Sequence, residues 1–326
     1  MSAPHVPTTM RAAAIDRPGG PHVLRIHVVP VPALDEDEVL IAVNTAGVGS
    51  WDADMREGWF PDGKRPRFPL VLGTDGSGRI AALGNRVRRF SLGDTVYSYN
   101  FANPKGGFYA EYVAVAANNV GWPPERLSLR EAGAIPTTGL TALQGIDDVL
   151  RVRRGEAVVI YGASGGVGSL AVQFAKMRGA RVLATASGRD GLSFVRRLGA
   201  DAAADGRRQD LRAAAEEFAP DGIDAVLALA GGRALEQIVK AVARGGRVAY
   251  PNGVEPAPRK RPGIRIASYD ARPGVREFER LGRAVEAARL RVPIAAPYAL
   301  EDAAKAHRRL AAGHVLGKIV LRVRRR

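Results

Sequence analysis

The stretch Ala157-Val158-Val159-Ile160-Tyr161-Gly162-Ala163-Ser164-Gly165-Gly166-Val167-Gly168 joins an apolar run to a cluster of small residues, and Ser169 to Arg178 then reads as a helix. The apolar run has the composition of a buried parallel strand. The small residues let the backbone turn tightly and approach a pyrophosphate at the helix N-terminus. There the unpaired N–H groups and the helix dipole favour negative charge. Ala163, Gly165 and Gly168 take the three small-residue positions of a dinucleotide fingerprint, so Ala163, Ser164, Gly165, Gly166, Val167 and Gly168 are candidate cofactor-binding residues. A glycine-rich turn alone says little, and its flanks carry the argument. Val167, Leu170, Ala171 and Phe174 recur at helical spacing, Gly179 stops the helix, Arg181 to Thr185 is a second apolar run, and Asp190 to Leu198 reads as the next helix.

A second feature bears on which dinucleotide binds. Roughly 20 residues past the glycines, folds that prefer NAD place an acidic side chain on the ribose 2′-hydroxyl. Here that position is Ala186, followed by Ser187, Gly188 and Arg189. A hydroxyl and a guanidinium separated by a small residue suit a 2′-phosphate, so NADPH is the expected cofactor. The competing account makes Arg189 a solvated residue ahead of a helix whose N-cap is Ser187 or Asp190.

These residues need elements to position them. From Arg11 to about Leu127 the chain shows short β-rich runs punctuated by Gly, Pro and Asp: Val39 to Val43, Gly78 to Leu83, Asp94 to Tyr97 and Tyr112 to Val115. Such spacing predicts a barrel-like domain. From Leu129 to about Tyr250, apolar runs such as Ile223 to Leu229 and Gly246 to Tyr250 alternate with helical segments, the pattern of a doubly wound sheet. Pro251 to Pro262 reads as an exposed connection and Phe278 to Leu290 as an amphipathic helix. A hydrophobic content of 46% with 25% charged residues is that of a globular protein, and 326 residues suffice for two domains. No apolar run is long enough to span a bilayer and Met1 to Thr9 lacks a signal-peptide core, so a cytoplasmic location is expected. The 48 Lys+Arg against 33 Asp+Glu give a net charge of +15, which can attract polyanions. The basic residues are scattered without interleaved aromatics, and they read as solvated surface with no specific nucleic-acid partner.

The order of short signatures is that of a known family. Gly19-Gly20-Pro21-His22-Val23-Leu24, Gly47-Val48 with Asp52, Gly73-Thr74-Asp75-Gly76-Ser77-Gly78, Gly93-Asp94-Thr95-Val96 and Gly107-Phe108-Tyr109-Ala110-Glu111-Tyr112-Val113 precede the glycine turn. Ala134-Ile135-Pro136, Leu140-Thr141-Ala142, Leu198-Gly199-Ala200-Asp201 and Gly313 to Leu321 complete the series. The chain resembles the medium-chain dehydrogenase/reductase superfamily, and within it the zinc-independent, zeta-crystallin-like quinone oxidoreductase branch. The resemblance implies an α/β protein: a Rossmann-type doubly wound parallel sheet domain plus a GroES-like β-barrel domain, with the active site in the cleft. The expected bounds are 1–128 for the first part of the GroES-like domain, 129–261 for the NADP(H)-binding domain and 262–326 for the return segment. The family also implies a homodimer or homotetramer.

Zinc-dependent relatives hold a catalytic zinc with a thiolate and a histidine. This chain has no cysteine, carries Ala46 just before Gly47-Val48, and has Gly73-Thr74 where a Gly-His pair would stand. His5, His22, His27, His307 and His314 show no ligand spacing and read as surface or packing residues. No metal site is expected. The resemblance places Thr141 near the nicotinamide, Gly231 and Gly232 where backbone approaches the cofactor, and Lys318 either at a phosphate or as a cap on the last strand. After Gly47-Val48, where the branch carries an asparagine, this chain has Gly49-Ser50-Trp51-Asp52. Ser50, Asp52, Trp59 and Tyr97 are the pocket candidates, with Trp51, Phe60 and Tyr99 as further apolar walls. Asp52 is read as structural, and the aromatic residues either line a pocket or pack a core. The expected activity is metal-independent, NADPH-dependent reduction of quinones or α,β-unsaturated carbonyl compounds by direct hydride transfer. The alternatives are an enoyl-thioester reductase of the same fold and a non-catalytic NADPH- or RNA-binding protein.

Overall fold

The computed structural model describes residues 6–60, 63 and 66–324, so His5 lies outside the described residues. The chain divides into two compact units, Met1–Thr137 with Pro273–Arg283 and Ile294–Arg326, and Thr138–Arg272 with 284–293.

The first unit is built on strands β1 (Thr9–Ile15), β2 (Arg25–Pro30), β3 (Glu38–Val48), β4 (Leu70–Val71), β5 (Asp75–Leu83), β6 (Thr95–Tyr99), β7 (Tyr112–Ala116) and β8 (Val120–Gly121), with helix α1 (Ser50–Glu57) following β3. Helices α2 (Leu129–Ala132) and α3 (Pro136–Gln144) lead into the second unit. There β9 (Ala157–Tyr161), β10 (Arg181–Ala186), β11 (Ala202–Asp205), β12 (Ile223–Ala228), β13 (Val242–Pro251) and β14 (Arg265–Tyr269) alternate with α4 (Gly166–Met177), α5 (Gly188–Arg197), α6 (Leu211–Phe218) and α7 (Arg233–Lys240). Helix α8 (Val275–Ala287), β15 (Ile294–Ala299), α9 (Ala303–Ala311) and β16 (Lys318–Arg322) end the described chain.

In the first unit β3 is the hub, pairing antiparallel with β5, β7 and β16, so the chain's end is stitched to its beginning: Val320 faces Gly47 and Leu321 faces Ala46. A smaller sheet runs β2-β1-β4. The core of this unit gathers Ile15, Ile41, Leu72, Ile80 and Phe108, each at most 1% exposed.

The second unit holds one six-stranded parallel sheet in the order β11-β10-β9-β12-β13-β14. Strands covered on both faces need near-continuous apolar runs, and Val158, Val159 and Ile160 are fully buried. The order reverses between β9 and β12, and ligands of open α/β sheets bind at that switch point, beyond the strands' carboxyl ends. The turn after β9 lies there, with Leu229 N donating to the Tyr161 carbonyl at 3.0 Å.

Three boundaries differ from the sequence expectation, the first being the start of the second unit, at Thr138 rather than 129. The parallel sheet was expected to end by 261, yet β14 pairs with β13 from Arg265 to Tyr269, and 284–293 also pack in the second unit. An edge strand with exposed Arg265 and Ser268 lacks the apolar run that marks its neighbours. Helix α4 begins at Gly166 rather than Ser169, because glycine adopts helical angles in a first turn that packing already dictates.

Capping shows local encoding at its simplest. Asp210 precedes α6 and its Oδ1 accepts from the Arg212 and Ala213 N–H groups at 2.9 and 3.2 Å. Asp210→Ala is expected to lower stability by about 1 kcal/mol in urea unfolding. An unchanged midpoint would show the cap to be idle. Among the described residues, no helix is long and apolar enough to cross a membrane.

Candidate active site

The glycine turn after β9 is held by the neighbouring strand. Gly162, at φ +84°, donates its N–H to Thr185 Oγ1 at 2.9 Å, and Ala163 donates to the Thr185 carbonyl at 2.9 Å. Both bonds pin the turn to β10. Gly165 is the N-cap of α4 and offers no side chain to the first-turn amides, and no acidic residue lies in that turn. The N–H groups of Gly166, Val167 and Gly168 therefore lack a side-chain acceptor where the helix dipole is positive. At Gly168 a β-carbon would overlap the Gly162 carbonyl oxygen and lie 2.6 Å from Ala163 Cα. At Gly165 it would meet nothing nearer than the Gly162 oxygen at 3.8 Å. The turn is tightly packed on its inner side and open on its outer side, where a pyrophosphate fits. Ser164 and Val167 lie half-buried in it, whereas Leu170, Ala171 and Phe174 face the core.

The next βα connection carries the second feature. Ser187 is the N-cap of α5, but its hydroxyl makes no capping bond. Arg189 is exposed, and among the described residues no carboxylate pairs with it. An acidic residue that sequence spacing missed lies close by. Asp205, in register with Ala186, accepts from Gly188 N at 3.1 Å and Arg207 N at 3.0 Å. The Arg207 N–H, opposed by partial burial, holds its carboxyl below the usual carboxylate range. Both oxygens are spent on backbone, and the carboxylate clips the two loops together.

The remaining cofactor candidates separate. Thr141 is buried on α3, and its carbonyl accepts from Tyr269 Oη at 2.8 Å. Gly231 has a packing reason of its own: its missing side chain admits the Glu255–Pro256 backbone, and a β-carbon there would overlap the Pro256 oxygen. Gly232, at φ +109° with open space around it, is the glycine that leaves room ahead of α7.

In the first unit, Asp52 is 1% exposed, and its carboxylate accepts from Gly49 N at 2.8 Å, Thr74 Oγ1 at 2.8 Å and Tyr109 Oη at 3.2 Å. Burial raises its pKa, and the Lys318 ammonium opposes the shift. Behind Asp52 a buried chain continues: Tyr109 Oη meets His307 Nε2 at 3.1 Å, and Arg56 Nη1 donates to His307 Nδ1 at 2.8 Å. Burial, and then the Arg56 charge, push the His307 pKa down to about 3. Arg56 is anchored on the Gly19 carbonyl at 2.9 Å and on Glu57. In the sequence His307 reads only as a surface or packing residue, and nothing there signals this chain of contacts.

Ser50 is exposed at the first position of α1. Trp51 meets Phe101 edge-on at 5.0 Å, and Trp59, 55% exposed, lies 6.2 Å from the same ring. Phe101, which no motif marked, joins the two tryptophans into one aromatic face. Tyr97 is a correction. It is fully buried, donates to the Phe278 carbonyl at 3.2 Å and packs on the Phe278 ring at 4.9 Å, so it belongs to the core. Lys318 extends beside Gly47 and Gly49, and its fixed neighbours are carboxylates of its own unit. Among the described residues no group of three or more His, Asp or Glu side chains could hold a metal ion.

Two known families match parts of the chain. Residues 35–125 match the alcohol dehydrogenase GroES-like domain and residues 198–321 match the zinc-binding dehydrogenase family. A mouse (Mus musculus) quinone oxidoreductase is 31% identical, covering 96% of this chain and 97% of its own. The NADPH-dependent alkenal/one oxidoreductase of Arabidopsis thaliana chloroplasts is 30% identical over 97% of this chain and 80% of its own. The solved quinone oxidoreductase of Coxiella burnetii superposes with a TM-score of 0.89 at 32% identity, covering 97% of this chain and all of that one.

Proposed function

Since this chain belongs to the quinone oxidoreductase branch of the medium-chain dehydrogenase/reductase superfamily, we propose that it uses NADPH to reduce quinones or α,β-unsaturated carbonyl compounds without a catalytic metal. Oxidoreductase chemistry of the quinone or enone class, with a nicotinamide dinucleotide as cofactor, is the family's shared ground. When bound, the nicotinamide supplies the hydride. The chain's own part is to hold the pyrophosphate on the open amides of α4, to fit the adenosine ribose at the end of β10, and to present an acceptor to the cofactor. Metal independence is supported by Ala46, by Thr74 and by the absence of any cysteine.

The observation that carries the NADPH reading is the pairing of Ala186 with an unspent Ser187 hydroxyl and an unpaired Arg189 guanidinium. A 2′-phosphate would gain charge-assisted hydrogen bonds there, each worth about 1.5–3 kcal/mol. Arg189→Glu is therefore expected to weaken NADPH binding by about 10- to 100-fold and to leave NADH binding near its original value. Titration with both cofactors, followed by nicotinamide fluorescence, makes the check. An unchanged NADPH:NADH ratio would remove the phosphate assignment.

A further inference from the structure

Lys318 is the only buried lysine among the described residues, 8% exposed, and no hydrogen bond or ion pair with a described residue reaches its ammonium. Its stem runs along Gly47, where a β-carbon would lie 2.9 Å from Lys318 Cε and would overlap Asp75 Oδ1. Its tip arrives at Gly49, where a β-carbon would sit 3.5 Å from Lys318 Nζ and 3.6 Å from Asp52 Oδ2. The two carboxylates nearby balance the charge without using the lysine's donors. Asp52 is occupied by Gly49 N, Thr74 Oγ1 and Tyr109 Oη, and Asp75 Oδ2 accepts from Thr137 N at 2.9 Å. An ammonium has three donors and no acceptor, so this one faces the Gly49 backbone with its donors unspent.

Gly49 is also the N-cap of α1. It has extended angles of φ −122° and ψ 167°, and Ser50 begins the helix exposed. The N-terminal end of α1, whose first-turn acid Asp52 spends Oδ2 on the Gly49 N–H, therefore meets a buried cation at a spot kept clear by a missing side chain. A carbonyl oxygen on which negative charge builds during reduction has the chemistry for that spot.

We propose that Lys318 Nζ and the start of α1 at Gly49–Ser50 form the subsite for the carbonyl oxygen of the acceptor. The ammonium donates to that oxygen, and Trp51, next in the chain and against Phe101, lies beside the acceptor's ring. This assignment rests on the quinone or enone reading above.

The probes are a hydroxynaphthoquinone, anionic at neutral pH, and its neutral methyl ether, titrated against the full chain by tryptophan quenching. Wild type is expected to prefer the anion. In Lys318→Met that preference is expected to fall by about 10- to 100-fold, toward parity, as a charge-assisted hydrogen bond is lost. In Gly49→Ala both probes are expected to weaken, because the methyl group fills the spot through ordinary contacts of 3.5 and 3.6 Å at an unstrained φ. NADPH binding is expected to persist in both variants. If Lys318→Met does not fold, as judged by circular dichroism, Gly49→Ala decides alone. A folded Lys318→Met with the wild-type preference, or a Gly49→Ala that binds both probes as wild type does, overturns the subsite while the quinone reading stands. A wild type that binds NADPH and neither quinone overturns that reading and the subsite with it.

Discussion

Alanine at Gly165 is expected to weaken dinucleotide binding about a thousandfold while leaving unfolding in urea unchanged; alanine at Gly168 is expected to damage both. The difference lies in what each new methyl group meets. At Gly165 the backbone is extended, φ −77° and ψ −178°, and the nearest atom is 3.8 Å away, so the fold admits the side chain. The methyl would occupy the outer face of the turn, between the first-turn amides of α4 and any pyrophosphate placed on them. Losing two charge-assisted hydrogen bonds of about 1.5–3 kcal/mol each accounts for the thousandfold. At Gly168 the methyl collides with the Gly162 oxygen and with Ala163 Cα and C at 2.6 and 2.8 Å, all backbone that the bonds to Thr185 hold against β10. Overpacking of that kind costs about 1–3 kcal/mol and tilts the helix start away from the strand. Fluorescence titration with NADPH and urea unfolding of both variants make the measurement. A Gly165→Ala protein that binds NADPH as tightly as wild type would mean the outer face of the turn is not where the pyrophosphate sits.

The cradle was legible because its causes are local. Val158, Val159 and Ile160 need burial, Gly162 needs its left-handed φ, and Gly168 needs close contact with the Gly162–Ala163 backbone, all within a dozen residues of chain. Where the causes are not local, the reading failed in ways the structure explains. Four of the five residues of β6 are buried, with no alternation to separate a pocket face from a core face, so Tyr97 read as a wall and is a core residue. The end of β14 was invisible because an edge strand is not obliged to be apolar on both faces. Asp205 has no signal in the spacing from the glycines, because it stands on β11 and reaches Ala186 only as its neighbour across the sheet. Lys318 carried a recognisable motif, but the position of its ammonium depends on β16 pairing with β3, which joins residues nearly a full chain apart. The chain from Asp52 to Arg56 has no local signature either: its links span 57, 198 and 251 residues of sequence.

That buried chain gives the protein an expected sensitivity to acid. Arg56 Nη1 donates to His307 Nδ1, which must therefore be unprotonated; the ring's proton sits on Nε2 and points to Tyr109 Oη, whose own proton goes to Asp52. A second proton on the ring would have to sit in a buried site and face the Arg56 guanidinium at 2.8 Å, which is why the folded pKa falls to about 3. An unfolded histidine titrates near 6.5, so between about pH 6.5 and 3 the unfolded chain binds a proton that the folded one refuses, and stability falls as pH falls. At about 1.4 kcal/mol per pH unit, moving from pH 7 to pH 4.5 removes roughly 2.5 kcal/mol through this one ring. Asp52 works in the opposite direction: burial raises its folded pKa, so acid relieves a strain that neutral pH imposes. Other carboxylates contribute their own slopes, and a difference between two proteins cancels them. His307→Gln keeps an amide oxygen for Arg56 and an amide N–H for Tyr109 but cannot titrate. Urea unfolding of wild type and His307→Gln at pH 7 and pH 4.5 is expected to show a wild-type loss about 2.5 kcal/mol larger than the variant's. Parallel losses would mean that His307 accepts its proton in the folded state, with the Arg56 contact opening to let it in.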